Sequence, residues 1–241
     1  MRERGQSTTI GFVIIFGSVL LIVGLVSVSG FAALEDVRND ERVTNGVRSF
    51  EILATNVDEV AADEVPSRTT SIQIDGMSLS VGSKTTVEVH VPADGFRRAV
   101  ETRPLVLDGG DGSKVVYASG AVIRSDRDGQ VMARPPRLLV TADSTRLHIL
   151  RTRPVATTSV GGQNTASVRT TRNGTAVEKT DTAGDAVYVN VTSQRSTAWQ
   201  RYLDSQSQTN CTPVDSDTIS CEITTDETAI SVTDVDVRLD S

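Results

Sequence analysis

The sequence predicts an α+β protein, with a long hydrophobic N-terminal helix followed by an antiparallel β-sandwich-like domain. Two patterns carry this prediction. The first is a run from Gln6 to Leu34 that contains no Asp, Glu, Lys or Arg, and the second is a series of about a dozen short β-branched runs after Pro66. The chain has 241 residues, which is enough for one sizeable core but not for several full domains.

The N-terminal run has the length and composition of a membrane-spanning helix. From Ile10 to Val28 it is almost entirely apolar or glycine, close to the roughly 20 residues that a helix needs to cross a bilayer. A secretory signal peptide is the alternative, because the run follows Arg2 and Arg4 and small residues follow it near Ser27 and Ala33. The apolar region of such a signal is usually only about 7–15 residues long, which favours a retained membrane helix.

After the apolar run, the helical pattern continues with a polar composition. Between Leu34 and Val65, apolar residues recur at alternating spacings of three and four, which predicts one buried helix face. These residues are Val47, Phe50, Ala54, Val57 and Ala61. Pro66 disfavours helical geometry at Val65 and predicts the end of the helix there.

The residues Arg4-Gly5-Gln6-Ser7-Thr8-Thr9-Ile10-Gly11-Phe12 resemble the class III signal peptide of archaeal type IV pilin-like proteins and archaellins. The resemblance covers about the first 60 residues. It implies that a prepilin peptidase cuts between Gly5 and Gln6, before the apolar helix, so that the mature protein keeps this helix. One departure is Ile10, which stands where many pilins carry Glu as the fifth mature residue.

The chain is therefore expected to consist of a leader peptide (1–5), a transmembrane and amphipathic helix (6–65) and an extracytoplasmic β-rich domain (66–241). Arg2 and Arg4 precede the apolar run, and retention of positive charge on the cytoplasmic side places the N-terminus inside and the β-rich domain outside. The expected partners are the membrane, the prepilin peptidase and other pilin-like subunits.

Gly17 and Gly24 lie seven residues apart and therefore on one face of the helix. Small residues on a shared face allow membrane helices to approach closely, which suggests a face for packing between subunits. Glycine is also common in membrane helices without such a role, and both interpretations stay open from the sequence.

The overall charge argues against a nucleic-acid-binding function. The formal net charge is −7 and the pI is about 4.9, whereas phosphate backbones attract basic surfaces. The only lysines are Lys84, Lys114 and Lys179, and Asp is abundant. Such a composition is similar to that of proteins from salt-loving archaea.

The β-rich domain is predicted from short runs separated by polar turns. The turn signals include Asp75-Gly76, Asp128-Gly129 and Asn173-Gly174. A short helix is expected at 196–203, with Trp199 and Leu203 packed on a sheet. The strand-like runs are 71–74, 77–81, 86–91, 104–107, 114–117, 121–124, 137–140, 146–150, 167–170, 186–191, 218–223 and 230–235.

Cys211 and Cys221 are the only cysteines. On the outer side of a membrane, their short spacing predicts a disulfide that closes a hairpin, worth about 3 kcal/mol by loop entropy. Two unpaired buried thiols are the alternative, because cysteine is also a good core residue.

Three glycosylation sequons begin at Asn173, Asn190 and Asn210. Asn173 is the best candidate because it belongs to a predicted glycine turn, whereas Asn190 lies in a predicted strand and Asn210 lies beside Cys211. Chance alone predicts about one or two sequons at this Asn, Ser and Thr content, so each site is equally compatible with an unmodified asparagine.

Catalytic chemistry has little support in the sequence. His90 and His148 are the only histidines, both lie in strand-like runs, and a G-x-S-x-G nucleophile motif is missing. The acidic turns at 108–112 and 125–129 could in principle bind calcium, but both are better explained as hairpin turns. Alignment of 125–129 with an EF-hand loop places Arg124 and Pro135 at positions 1 and 12, where the loop needs oxygen ligands. We expect a pilin-like surface subunit without catalytic residues, metal or cofactor. The alternatives are a membrane-anchored surface protein that does not polymerise, and a tethered ligand-binding or hydrolytic domain.

Overall fold

The computed structural model describes residues 4–62, 64–156, 158–162, 165–181 and 184–240. The chain consists of two compact units, Met1–Arg42 and Val43–Ser241. Helix α1 (Arg4–Ala61) supplies the first unit and continues into the second. The sequence placed the start of the β-rich domain at residue 66. The compact unit that contains the strands also includes the second half of α1 from Val43 onward, because that part of the helix belongs to its core.

The predicted apolar face of α1 is buried within the β unit. Phe50, Ala54 and Val57 each expose at most 1% of their surface, and Val47 is half-buried. Helix α1 ends at Ala61, earlier than predicted. The Glu64 N–H donates to the Glu59 carbonyl at 3.1 Å. The donor lies five residues after the acceptor, as in the C-cap of a helix. The helix therefore ends several residues before Pro66.

Sixteen strands and a second helix follow in the described chain, together with a short 3₁₀ helix at Pro92–Asp94. The helix α2 (Ser196–Asp204) carries buried Trp199 and Leu203, as predicted. The strands are β1 (Ser67–Gln73), β2 (Ser78–Val81), β3 (Thr85–Val91), β4 (Phe96–Thr102), β5 (Leu105–Asp108), β6 (Lys114–Ala118), β7 (Ala121–Asp126), β8 (Gly129–Arg134), β9 (Leu138–Val140), β10 (Ser144–Pro154), β11 (Ser159–Gly161), β12 (Thr165–Asp181), β13 (Ala186–Thr192), β14 (Thr209–Pro213), β15 (Thr218–Thr224) and β16 (Glu227–Asp240).

The strands form three sheets in the described residues. Sheet A has the order β1-β12-β16-β10-β9, sheet B has the order β11-β2-β5-β6-β7-β8, and sheet C has the order β14-β15-β13-β3-β4. Every pair is antiparallel except β10 with β16, which run parallel. The predicted class, a hydrophobic helix followed by a mostly antiparallel β-rich domain, is confirmed.

Sheet B contributes side chains to two hydrophobic cores. Leu105 and Leu107 of β5 point into a core shared with α1 and sheet A, whereas Val106 between them belongs to a core shared with sheet C and α2. Neighbouring strands β6 and β7 alternate in the same way. A strand buried on both faces carries a continuous apolar run, which explains why these strands were readily predicted.

One predicted turn is wrong. Asn173-Gly174 lies inside β12, at an irregularity in its pairing with β16 between Arg172 and Thr175. Gly174 has a φ of +118°, and this left-handed conformation serves a β-bulge as readily as a hairpin turn. Both features select glycine, so the dipeptide alone does not distinguish them.

Candidate functional site

The apolar segment Ile10–Ser27 of α1 is the most prominent candidate site, because its large apolar side chains are exposed. Its mean hydropathy is 2.7 and none of it is buried. Its large side chains expose between 50% (Val19) and 76% (Leu21) of their surface. A helix of this length rises about 27 Å, close to the ~30 Å hydrocarbon thickness of a bilayer. The segment is therefore long and apolar enough to anchor the chain in a membrane.

Gly17 and Gly24 both lie within this exposed segment. A Cβ atom added to either glycine would meet no atom within 4 Å. Neither glycine is therefore required by packing among the described residues. A role for their shared face in contacts between subunits stays a prediction.

The predicted cleavage site lies at the start of α1. The backbone of Gly5 and Gln6 belongs to the helix that begins at Arg4, but the Gln6 side chain and the whole of residues 1–3 lie outside the described part of the chain. Cleavage between Gly5 and Gln6 stays a prediction.

A buried ion pair fastens the second half of α1 to sheet B. Arg134 of β8 donates through Nη2 to the Asp58 Oδ2 at 2.8 Å and through Nη1 to the Glu51 carbonyl at 2.7 Å. Arg137 lies 3.6 Å from the same Asp58 oxygen. Asp58 is only 7% exposed. Burial raises the pKa of its carboxyl above the usual value of 3.8, whereas Arg137 and Arg134 act in the opposite direction.

Sequence reasoning missed this ion pair. The available signal was an acidic residue on the apolar side of a helix, since Asp58 follows Ala54 by four positions and is adjacent to Val57. A charge at such a position needs a buried partner. The pattern does not say that the partner is Arg134, which is separated from Asp58 by 76 residues.

Cys211 and Cys221 face each other across β14 and β15 and form a disulfide. Both lie in the core beneath α2, at 8% and 0% exposure. The Cys211 N–H donates to the Asp204 carboxylate at 2.9 Å. The disulfide hairpin is thereby tied to the last residue of α2.

The three sequons lie in different environments. Asn210 is exposed on β14, and Asn173 is exposed on β12, where its Nδ2 donates to the Asp236 carboxylate at 2.8 Å. Asn190 is half-buried on β13 and donates to the Glu88 carboxylate at 3.1 Å. The structure therefore separates Asn190 from the other two, whereas the sequence favoured Asn173 alone.

The acidic turn at 108–112 uses its carboxylates to hold the loop itself. Asp108 accepts from the Gly110 N–H and pairs with the Lys114 ammonium, at 2.9 and 2.8 Å. Asp111 accepts from the Ser113 N–H at 2.9 Å. The side-chain hydrogen bonds from Lys114 and Ser113 hold the pKa values of Asp108 and Asp111 below their usual range. Among the described residues, no group of three or more His, Cys, Asp or Glu could hold a metal ion.

The two histidines lie in separate surroundings. The His90 ring is 5.9 Å from the Tyr188 ring. His148 exchanges a hydrogen bond of 2.8 Å with the Ser231 hydroxyl, and burial lowers its pKa. His148 and Trp199 line a cavity of about 40 Å³, which has room for a few water molecules at most.

The comparisons with known proteins place the chain in one family. The model of a family of unknown function, DUF7289, matches residues 4–238. The match covers nearly the whole chain, and the chain therefore belongs to this family. No curated protein and no solved structure matches it significantly.

Proposed function

We propose that this member of the DUF7289 family is a pilin-like, membrane-inserted subunit of the cell surface with a structural or adhesive role. In this proposal, a prepilin peptidase removes residues 1–5, the apolar segment of α1 lies in the membrane, and the β unit lies outside. One observation carries the proposal. The uncovered apolar segment Ile10–Ser27 belongs to the same helix whose later turns form the core of the β unit.

The exposed apolar surface is the physical reason to expect an apolar environment around this segment. Thirteen large side chains between Ile10 and Val26 are exposed. Burial of one such side chain is worth about 1.5–3 kcal/mol, so transfer of the segment from water into lipid or into a helical bundle gains on the order of 20 kcal/mol. A segment left in water would drive aggregation.

The disulfide supports an outward β unit. Disulfides persist in oxidising compartments and are rare in the cytosol. The Cys211–Cys221 bond lies within the β unit, whereas Arg2 and Arg4 precede the apolar segment. Positive charge at this end favours a cytoplasmic N-terminus. Both features agree with one orientation.

The first experiment determines the mature N-terminus by mass spectrometry of the membrane-bound protein. Cleavage by a prepilin peptidase predicts a chain that begins at Gln6. A Gly5→Phe variant should remain unprocessed, because a bulky side chain blocks the extended backbone that a protease binds. Gly11→Phe makes the same chemical change beyond the cleavage site and should be processed. A mature terminus between Ser27 and Glu35 would overturn the proposal.

A second experiment separates a polymerising subunit from a solitary anchor, which is the main alternative because Ile10 stands where many pilins carry Glu. Gly17→Leu with Gly24→Leu adds four carbons at each position on the proposed packing face, which prevents close approach of helices. Val19→Phe with Val26→Phe adds the same number of carbons on the opposite face. Loss of the protein from sheared surface material only in the glycine variant supports assembly. Equal recovery of both variants supports the solitary anchor.

A further inference from the structure

We propose that Asn173 and Asn210 carry N-linked glycans that cover two open sheet edges, whereas Asn190 stays unmodified. The inference rests on the proposed function, because it requires that the β unit is exported. The substrate class is an oligosaccharide linked through phosphate to a membrane lipid.

The acceptor atom is the side-chain amide nitrogen, Nδ2, of the sequon asparagine. Asn210 is exposed on β14. Asn173 is exposed and donates one hydrogen bond, to Asp236. Its amide carries two N–H groups, so one remains for a sugar while the other keeps the bond. Both positions tolerate a large polar substituent in the folded chain.

Asn190 has no such room. It lies in β13, which is flanked by β3 and β15 on its two sides. Its Nδ2 donates to Glu88 at 3.1 Å, and its Oδ1 is buried. Asn190 is half-buried beside Glu88, whose carboxylate also binds Arg97, so a sugar on its second N–H would have to enter a crowded part of the sheet surface. A chain modified at Asn190 should therefore fail to form sheet C.

Asn173 lies where β12 loses one of its neighbours. Strand β1 pairs with β12 only as far as Thr171, and from there β12 pairs with β16 alone in the described residues. Residues 173–177 are all exposed, including 73% of Val177. An open edge with exposed β-branched residues is a template for pairing with another chain. A glycan on Asn173 would block the approach of a second strand.

Asn210 lies on the second open edge. Strand β14 is the terminal strand of sheet C, and Val214 just beyond it exposes 64% of its surface. Pro213 ends β14 without a backbone N–H, which already limits pairing at that end. A glycan on Asn210 would cover the remaining part of this edge.

The transfer step is a substitution at the anomeric carbon of the sugar. The asparagine Nδ2 forms a bond to this carbon and releases one proton to water, while the bond from the carbon to the phosphate oxygen breaks and the lipid phosphate leaves with the electron pair. The transfer to Asn210 must precede hairpin closure. The disulfide at Cys211 and the ladder between β14 and β15 hold this sequon extended against β15. In that conformation the backbone cannot bend into the active site of a glycan-transferring enzyme.

The test begins with the full-length protein from its native cells, digested and analysed by mass spectrometry. We expect glycopeptides that contain Asn173 and Asn210, and only the unmodified peptide for Asn190. Thr212→Val should abolish the glycan on Asn210, whereas Thr212→Ser keeps the sequon and should retain it. The variant Asn173→Gln with Asn210→Gln should show a larger oligomeric fraction than the wild type in the same detergent.

Intact cells are labelled in parallel with an amine reagent that does not cross membranes, because Lys84, Lys114 and Lys179 all lie in the β unit. If the lysines are labelled but either Asn173 or Asn210 is unmodified, or if Asn190 carries a sugar, the inference is overturned while the topology stands. An unchanged oligomeric fraction in the double Asn→Gln variant overturns the edge-covering role. If the lysines are protected in intact cells and no glycan is found, the inference and the proposed function both fail.

Discussion

Replacement of Arg134 by Met is the most direct test of how α1 is fastened to the β unit. The Arg134 guanidinium binds the Asp58 carboxylate, the Glu51 carbonyl and the Thr55 hydroxyl, at 2.8, 2.7 and 2.8 Å. Methionine retains much of the apolar stem but supplies none of these donors. Asp58 would then stay buried, with Arg137 at 3.6 Å as its remaining ion-pair partner among the described residues.

The expected loss in the free energy of unfolding is about 3 kcal/mol at neutral pH. Removal of one partner of a buried ion pair costs about 3–5 kcal/mol, because the remaining charge is desolvated without compensation. The lower end applies here, since Arg137 remains and its side chain is 51% exposed. Arg137→Met should cost less than Arg134→Met, because it removes the more distant and more exposed charge.

The loss should also depend on pH. Burial already raises the pKa of Asp58 above 3.8 in the folded protein, and removal of Arg134 raises this pKa further. A folded-state pKa above the unfolded value means that stability is lost as the pH rises through the folded pKa. The destabilisation of Arg134→Met relative to the wild type should therefore be smaller at about pH 4 than at about pH 8. Asp58→Asn in the Arg134→Met background should remove this pH dependence.

The assay is unfolding of the full-length protein in detergent by guanidinium chloride, followed by fluorescence. Trp199 is the only tryptophan and is 4% exposed, so its emission reports the loss of the core. The two single variants and the double variant of Arg134 and Asp58 form a double-mutant cycle. A coupling free energy below about 0.5 kcal/mol, or equal losses at the two pH values, would refute the reasoning.

Three further predictions concern the β unit. A Cβ at Gly46 would lie 2.8 Å from Leu107 Cδ2, so Gly46→Val should lower the free energy of unfolding by about 1–3 kcal/mol through overpacking. Gly11→Val, where no atom lies within 4 Å, is the control and should leave Trp199 fluorescence unfolding unchanged. Cys211→Ala with Cys221→Ala should cost about 3 kcal/mol by loop entropy, and thiol labelling of the denatured, unreduced wild type should detect no free thiol; quantitative labelling would contradict the bond. The hydrogen bond from Arg151 is the main cause that holds the pKa of Asp234 below 3.8, so its stabilising contribution is present above that pH and is lost as the pH falls through the lower folded pKa. Asp234→Asn should accordingly flatten the fall in melting temperature below about pH 4, and an acid profile identical to that of the wild type would show that Asp234 does not contribute.

The strands that sequence reasoning missed share a physical property. They are β4, β8, β11 and β14, and each lies at the edge of its sheet. An edge strand is held by one neighbour and is largely solvated, so its side chains carry little apolar pattern. Strand β4 includes Arg97, Arg98 and Glu101. A segment this rich in charged residues is predicted as a loop, and only its pairing with β3 identifies it as a strand. The central strands β5, β6 and β7 were found because burial on two faces selects consecutive apolar residues.

The candidate sites also divide into those that local sequence predicts and those that depend on distant residues. The sequence placed Cys211 and Cys221 within reach of each other because only ten residues separate them. It ranked the sequons by local composition, and this ranking favoured Asn173 for a turn that is in fact a bulge. It did not distinguish the crowding at Asn190, which arises from Glu88, a residue 102 positions away in the chain.

The sequence by itself determined the features that depend on local spacing. The length of the uncharged run decides whether a helix can cross a bilayer, and the spacing of Phe50, Ala54 and Val57 decides which face of α1 is buried. Only the tertiary structure decided the features that depend on distant partners, such as the pairing of Arg134 with Asp58 and the parallel alignment of β10 with β16. The reason is that the spacing of apolar residues along a chain indicates which face of a helix or strand is buried. Which distant segment covers it depends on three-dimensional packing.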